Sequence, residues 1–183
     1  EILGVNFDQH LSWKRQINEL LKSCYSTLAA IKKIRRLAPY HVRKNLVEAL
    51  VITKLDYCNS VYYPLPEHQI KRLQKLQNSA AAFVIGRFAS TIDVIELNWL
   101  PVKERMIHSL LKLCFKALFN SSFPEYLKLQ LAENKQNLRS CNDTGPSIVI
   151  KAHDKTFTYT AAASFNNLPK SFSLRCFLKR GLK

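Results

Sequence analysis

The sequence predicts a mainly α-helical fold, a helical bundle with a short strand at its N-terminal end and a small irregular segment at its C-terminal end. Three observations carry that expectation. Only 4 glycines and 7 prolines interrupt 183 residues, so long helices have room to run. An apolar content of 47% suffices for a real core. Apolar residues recur every three or four positions along most of the chain, whereas the closely spaced turn residues of a β-sandwich or barrel are missing.

The opening Glu1-Ile2-Leu3-Gly4-Val5 is short and apolar, like the end of a strand whose sheet lies upstream. From Ser12 a helical stripe of Trp13, Ile17, Leu20, Leu21, Cys24, Leu28, Ile31 and Ile34 follows, closed by Pro39. A second helix is expected from about Val42 to Val61, burying Leu46, Ala49, Leu50, Thr53, Tyr57 and Val61. Tyr57 and Cys58 are read as core residues on that basis. The run from Tyr62 to Pro66 breaks this helix. Pro66 then suits the first turn of a third, where a missing N–H costs nothing, and Glu67 suits the positive end of its dipole. Ile70, Leu73, Leu76 or Gln77, Ala80 and Val84 form its stripe, and Gly86 supplies the C-terminal stop.

A short helix over Thr91–Leu97 and a bend plugged by Trp99 come next. Pro101 opens a long helix to about Phe119 with Met106, Leu110, Leu113, Cys114, Ala117 and Leu118 on its apolar side. Pro124 to Leu127 suggests one more short helix. Beyond Ala132 the texture turns to Asn, Ser, Gly and Lys, with a small hairpin expected at Ile148–Ile150 and Thr156–Tyr159. The chain thus divides into a strand remnant at 1–8, a helical bundle at 9–131 and a C-terminal extension at 132–183.

Charge points to the partner class. Lys and Arg number 28 against 13 Asp and Glu, a net +15, which makes a polyanion the natural partner, with nucleic acid ahead of an anionic membrane. Residues 1–60 carry ten basic and five acidic side chains, 61–140 eleven and six, and 141–183 seven and two. So even a spread suits a long electrostatic track better than a detachable basic arm. The cluster Lys32, Lys33, Arg35 and Arg36 closes the first helix, where cations complement the negative end of the dipole and can equally meet phosphates. Gln74, Gln77 and Asn78 fit either helix-cap or interhelical hydrogen bonds, or nucleic-acid contacts.

Cys24, Cys58, Cys114, Cys141 and Cys176 lie far apart without a C-x-x-C pair and read as reduced thiols of an intracellular protein. His10, His41, His68, His108 and His153 have no partner at zinc-finger spacing. No apolar run reaches the roughly 20 residues of a membrane span. G-x-S-x-G, Walker and G-x-G-x-x-G patterns are all missing. The chain opens on Glu1 without an initiator Met, which leads to the expectation that it starts within a longer gene.

Four colinear strings add a resemblance. LGVNFDQHLSW (Leu3 to Trp13) resembles an LGV-x-x-D-x-x-L-S-W block, and LDYCNSVYYPLPEHQIKRLQKLQNSAA (Leu55 to Ala81) an L-D-Y-C-N segment followed by L-x-R-L-Q-x-x-Q-N-x-A-A. LNWLPVKERM (Leu97 to Met106) is similar to L-H-W-L-P-V-x-x-R-I. FNNLP (Phe165 to Pro169) and the closing FLKRGLK resemble a W-N-x-L-P and F-K-x-x-L-K tail. Together they resemble the region downstream of the palm in LINE-type (non-LTR, Jockey-like) retrotransposon reverse transcriptases. Asn98, Pro64, Ala82 and Phe165 depart from that pattern, standing where His, Gly, Arg and Trp are usual.

The resemblance implies a thumb and post-thumb fragment of an RNA-directed DNA polymerase that acts by target-primed reverse transcription. The parent enzyme would hold Mg2+ on paired palm aspartates. This chain has no Asp-Asp pair, only Asp8, Asp56, Asp93, Asp143 and Asp154, so no catalytic residue, cofactor or metal site is expected within it. Expected partners are RNA, an RNA:DNA hybrid or DNA, together with the palm domain of the same polymerase, and not a membrane. Gly4 would let backbone approach the primer end. Lys14, Arg15, Lys22, Lys32, Lys33, Arg35, Arg36, Lys71, Arg72 and Lys75 would meet sugars and phosphates along a duplex. A nuclear or cytoplasmic ribonucleoprotein would be the setting. A helical protein-interaction scaffold, or a decayed transposon copy without function, is the rival reading.

Overall fold

The computed structural model describes residues 3–120, 122–129 and 157–167. Its elements are α1 (Lys14–Lys32), α2 (Tyr40–Val47), a π-helical turn (Glu48–Ile52), α3 (Thr53–Asp56), α4 (Glu67–Ile85), α5 (Thr91–Glu96), α6 (Val102–Phe119), a 3₁₀ turn (Glu125–Leu127) and α7 (Phe157–Asn166). The protein is mainly α-helical, as its composition and periodicity predict, and no strand occurs among the described residues. Two compact units divide within α6, Glu1–Ser109 and Leu110–Lys183.

The expected N-terminal strand is a turn in its described part. Leu3 and Gly4 have φ of 49° and 75°, which an extended strand cannot contain, and only Val5 makes a bridge. Val5 is nevertheless buried, and the Tyr57 hydroxyl donates to the Leu3 carbonyl at 2.7 Å. Downstream, the Asp8 carboxylate accepts from the Ser12 backbone N–H at 2.6 Å and from the Ser12 hydroxyl, closing the loop that feeds α1. Those Ser12 hydrogen bonds hold the Asp8 carboxyl below its ordinary range.

α1 buries Ile17, Leu21, Cys24, Leu28 and Ile31 as its stripe predicts, with Trp13 and Leu20 packed at the edge of the core. Ile34 lies beyond the helix end and is exposed. α4 likewise buries Ile70, Leu73, Leu76, Ala80 and Val84, and stops at Gly86, whose φ of 97° is the left-handed conformation that favours glycine.

The second predicted helix differs in both extent and face. Helical structure ends at Asp56, five residues before Val61, and the buried residues are Val47, Val51, Ile52 and Leu55. Leu50, Tyr57 and Val61, expected inside, are exposed. Leu46, Val47, Leu50, Val51, Ile52 and Leu55 are all apolar, so the local sequence offers several competing faces. Packing selects the one that also gives polar groups partners. Lys54 donates to Ser23 and Thr27 of α1, both at 2.9 Å, and Glu48 accepts the Trp99 indole N–H at 2.8 Å. The wider π turn lets the adjacent Val51 and Ile52 both enter the core.

Trp99 is the plug its position suggests, 5% exposed. Gln74 and Gln77 are interhelical linkers: Gln77 donates to the Leu100 carbonyl at 2.8 Å, and Gln74 accepts from the Val102 backbone N–H at 2.9 Å, satisfying an orphan donor of α6. Gln74 also donates to Asn78 Oδ1 at 2.9 Å. Arg105 reaches the Asp56 carboxylate through two hydrogen bonds of 3.1 and 2.8 Å, joining the start of α6 to the end of α3.

In the C-terminal unit, Leu110, Cys114, Ala117, Leu129, Ala161 and Ala162 are buried. The expected strand at Thr156–Tyr159 is overturned, because α7 runs from Phe157 to Asn166. The run Ala161-Ala162-Ala163, the strongest of helix formers, outweighs the β preference of the Thr and Tyr before it. A regular helix therefore occupies part of the segment expected to be irregular. The hairpin's other half, Ile148–Ile150, lies outside the described residues, as do Cys141, Cys176, Asp143 and Asp154.

Candidate nucleic-acid interface

α1 ends at Lys32, and the exposed turn after it carries Arg35 and Arg36. α2 follows immediately and contributes Arg43, while α4 and its Gly86 stop contribute Lys75 and Arg87. These residues converge on two adjoining depressions. One, of about 910 Å³, is lined by Tyr25, Lys32, Arg35, Lys75, Asn78, Ser79, Ala82, Phe83 and the run Gly86–Thr91. The other, of about 530 Å³, is lined by Lys32, Arg35, Arg36, Ala38 and Arg43. Among the described residues, six cations face this cleft and no carboxylate lines it.

The side chains differ in how they are held. Arg35 donates to the Gly86 carbonyl, and Arg43 to the Phe83 carbonyl at 3.3 Å, so two guanidiniums are braced against the C-terminal end of α4. That end carries the negative pole of the helix dipole, which favours cations there. Gly86 is favoured by its positive φ, and a Cβ there would stand 3.0 Å from Arg35 Nη2, so that side-chain end would have to shift by a few tenths of an ångström. Arg87 pairs with Asp93, whose carboxylate also accepts from the Ser90 backbone N–H at 2.7 Å and the Ser90 hydroxyl at 2.9 Å. The Ser90 contacts first, and Arg87 after them, hold the Asp93 carboxyl below its ordinary range. Among the described residues no carboxylate pairs with Lys32, Arg36 or Lys75.

Of the residues expected from sequence, Lys32, Arg35, Arg36 and Lys75 meet here. Lys14, Arg15, Lys22, Lys33 and Lys71 are exposed but do not line the cleft, and Arg72 is tied to Asn18 of α1 at 2.8 Å. Gly4 does not line it either, and a Cβ there would meet nothing within 4 Å, so its positive φ alone accounts for glycine. Arg43 and Arg87 were not foreseeable. Arg87 stands alone in the sequence and Arg43 has only Lys44 beside it, and both reach the cleft because α2 packs against α4 and the Gly86 stop of α4 meets Arg35 just beyond α1.

The three described aspartates have structural occupations, Asp8 with Ser12, Asp56 with Arg105 and Asp93 with Ser90 and Arg87. Among the described residues no group of three His, Cys, Asp or Glu side chains could hold a metal ion, so they offer no donor set for the Mg2+ of a polymerase palm. Cys24 and Cys114 are buried thiols, pushed up by burial to about 11 and about 12, whereas Cys58 sits half-buried in the turn after α3. Tyr57, read as core, is exposed, whereas Asn59 two residues on is buried. None of the helices among the described residues is long and apolar enough to cross a membrane. Compared with known proteins, the chain matches no family model, no curated sequence and no solved structure.

Proposed function

We propose that this chain is a nucleic-acid-binding module, the thumb and post-thumb piece of a non-LTR retrotransposon reverse transcriptase, which grips RNA or an RNA:DNA hybrid through its sugar-phosphate backbone. The observation that supports this best is the cleft at the joined ends of α1 and α4, with six cations and, among the described residues, no lining carboxylate. Clustered cations repel one another, and a polyanion relieves that repulsion by displacing its own condensed counterions. Bracing of Arg35 and Arg43 by backbone carbonyls lowers the ordering cost on binding. Contacts of this kind position a backbone and carry no sequence information. The colinear sequence strings supply the polymerase context, with catalysis and Mg2+ residing in a palm domain and the setting a nuclear or cytoplasmic ribonucleoprotein.

The test is binding of the whole chain to a labelled RNA:DNA hybrid, single-stranded RNA and duplex DNA across a salt series. Each phosphate contact adds about −0.7 to −0.9 to the slope of log affinity against log salt. A slope steeper than about −3 is the expected result. Salt-insensitive or undetectable binding near 0.1 M salt would leave the cations as ordinary solvated charges and sink the reading.

A further inference from the structure

Backbone gripping needs only charge, yet the larger depression also presents two aromatic rings. Phe88 is 90% exposed and Tyr25 44% exposed, and both line the space that Lys32, Arg35, Lys75 and Arg87 surround. Phe88 is not on a loose loop. Gly86 is held by Arg35, the Phe88 carbonyl accepts from Arg87 at 3.1 Å, Ala89 is buried, and the Ser90–Asp93 hydrogen bonds fix the next turn. Its ring is thus carried into solvent by a braced backbone, within a basic cleft.

We infer that this depression binds an unpaired nucleotide of a single-stranded nucleic acid, with the base against Phe88 and Tyr25 and the flanking phosphates on the surrounding cations. The inference rests on the nucleic-acid reading above and narrows it. An exposed aromatic face and nearby cations are the combination that single strands use and that a closed duplex, with its bases stacked inside, cannot reach. The space of about 910 Å³ lies within the range of roughly 300–1,000 Å³ typical of ligand clefts. Asn78 and Ser79 line its wall. The Asn78 carbonyl oxygen already accepts from Gln74, which leaves its amide N–H groups to donate to a base edge.

Phe88→Ala removes the ring without touching the core, so the fold is expected to survive, and an unchanged thermal midpoint checks that. Affinities of the whole chain for an oligouridylate and for a blunt RNA:DNA hybrid are measured over the same salt series, for the wild type, Phe88→Ala and Phe88→Trp. Loss of one stacked base weakens single-strand binding by roughly fivefold to a hundredfold. The expected pattern is that loss in Phe88→Ala with an unchanged salt slope, recovery in Phe88→Trp, and hybrid binding altered by less than about twofold. Wild-type affinity of Phe88→Ala for the oligouridylate, at an unchanged slope, would overturn the stacking site and leave backbone gripping intact. Salt-insensitive or absent binding by the wild type would overturn both.

Discussion

Two sets of cations on α1 and α4 contrast instructively. Lys14, Arg15, Lys22, Lys71 and Arg72 occur in helices as regular as those bearing Lys32 and Lys75, yet only the latter share a cleft with Arg35, Arg36, Arg43 and Arg87. Lys14 and Arg15 stand in the first turn of α1, at the positive end of its dipole and with no acidic residue beside them in that turn. Lys32 stands in the last turn, where the dipole favours it, next to the C-terminal end of α4 with its stop at Gly86. Helical spacing distributes cations over a surface. Convergence needs chain reversals, and the turns after α1 and after α4 supply them.

The largest expected effect sharpens this contrast. At about 0.1 M salt, losing one phosphate contact costs roughly five- to eightfold in affinity and losing two roughly 30- to 60-fold. The pair Lys32→Ala with Lys75→Ala, both exposed positions, should therefore weaken RNA binding by roughly 30-fold or more and make the salt slope shallower by about 1.5. Lys14→Ala with Arg15→Ala should cost less than about fivefold. Equal losses from the two pairs would make the whole α1–α4 face one continuous track and dissolve the distinction.

A second comparison sets two glycines against each other. Gly4 and Gly86 have φ of 75° and 97°, so an alanine at either is strained, but of the two only at Gly86 would the Cβ press on a neighbouring side chain, Arg35. Gly86→Ala should destabilise the protein by about 1–2 kcal/mol through backbone strain and displace the Arg35 guanidinium besides. Gly4→Ala, in open space, should cost about 1 kcal/mol or less. Urea denaturation midpoints measure both, and a larger loss at Gly4 would refute the closer packing assigned to Gly86.

The smallest effect is a pH dependence. Asp93 has its carboxyl lowered below 3.8, so its contribution to folding is fully present above about pH 4 and is lost as pH falls through the folded value. Asp93→Asn should flatten the acid limb of the thermal midpoint. Asp8, lowered in the same sense, keeps the rest of that limb. An acid limb identical in wild type and Asp93→Asn would mean that the Arg87–Asp93–Ser90 contacts contribute nothing to stability.

Helical class, the stripes of α1 and α4, the Gly86 stop and the Trp99 plug were legible in the sequence, because each depends on neighbours within about one or two helical turns. The basic net charge was legible too, since it is a sum that no folding alters. The face of α2 and α3 was not, for Leu46, Val47, Leu50, Val51, Ile52 and Leu55 make several stripes equally apolar, and Lys54 and Glu48 take partners from α1 and from Trp99, far along the chain. Spacing could offer interhelical hydrogen bonds for Gln74 and Gln77 without naming α6 as the partner, and it could not foresee that Tyr57 turns outward to Leu3 or that Arg43 and Arg87 join Lys32 and Lys75. Local periodicity is a property of a helix and its few neighbours along the chain. The cleft is a property of residues 32, 43, 75 and 87 meeting in space, which burial of a shared core brings about and no short stretch of sequence encodes.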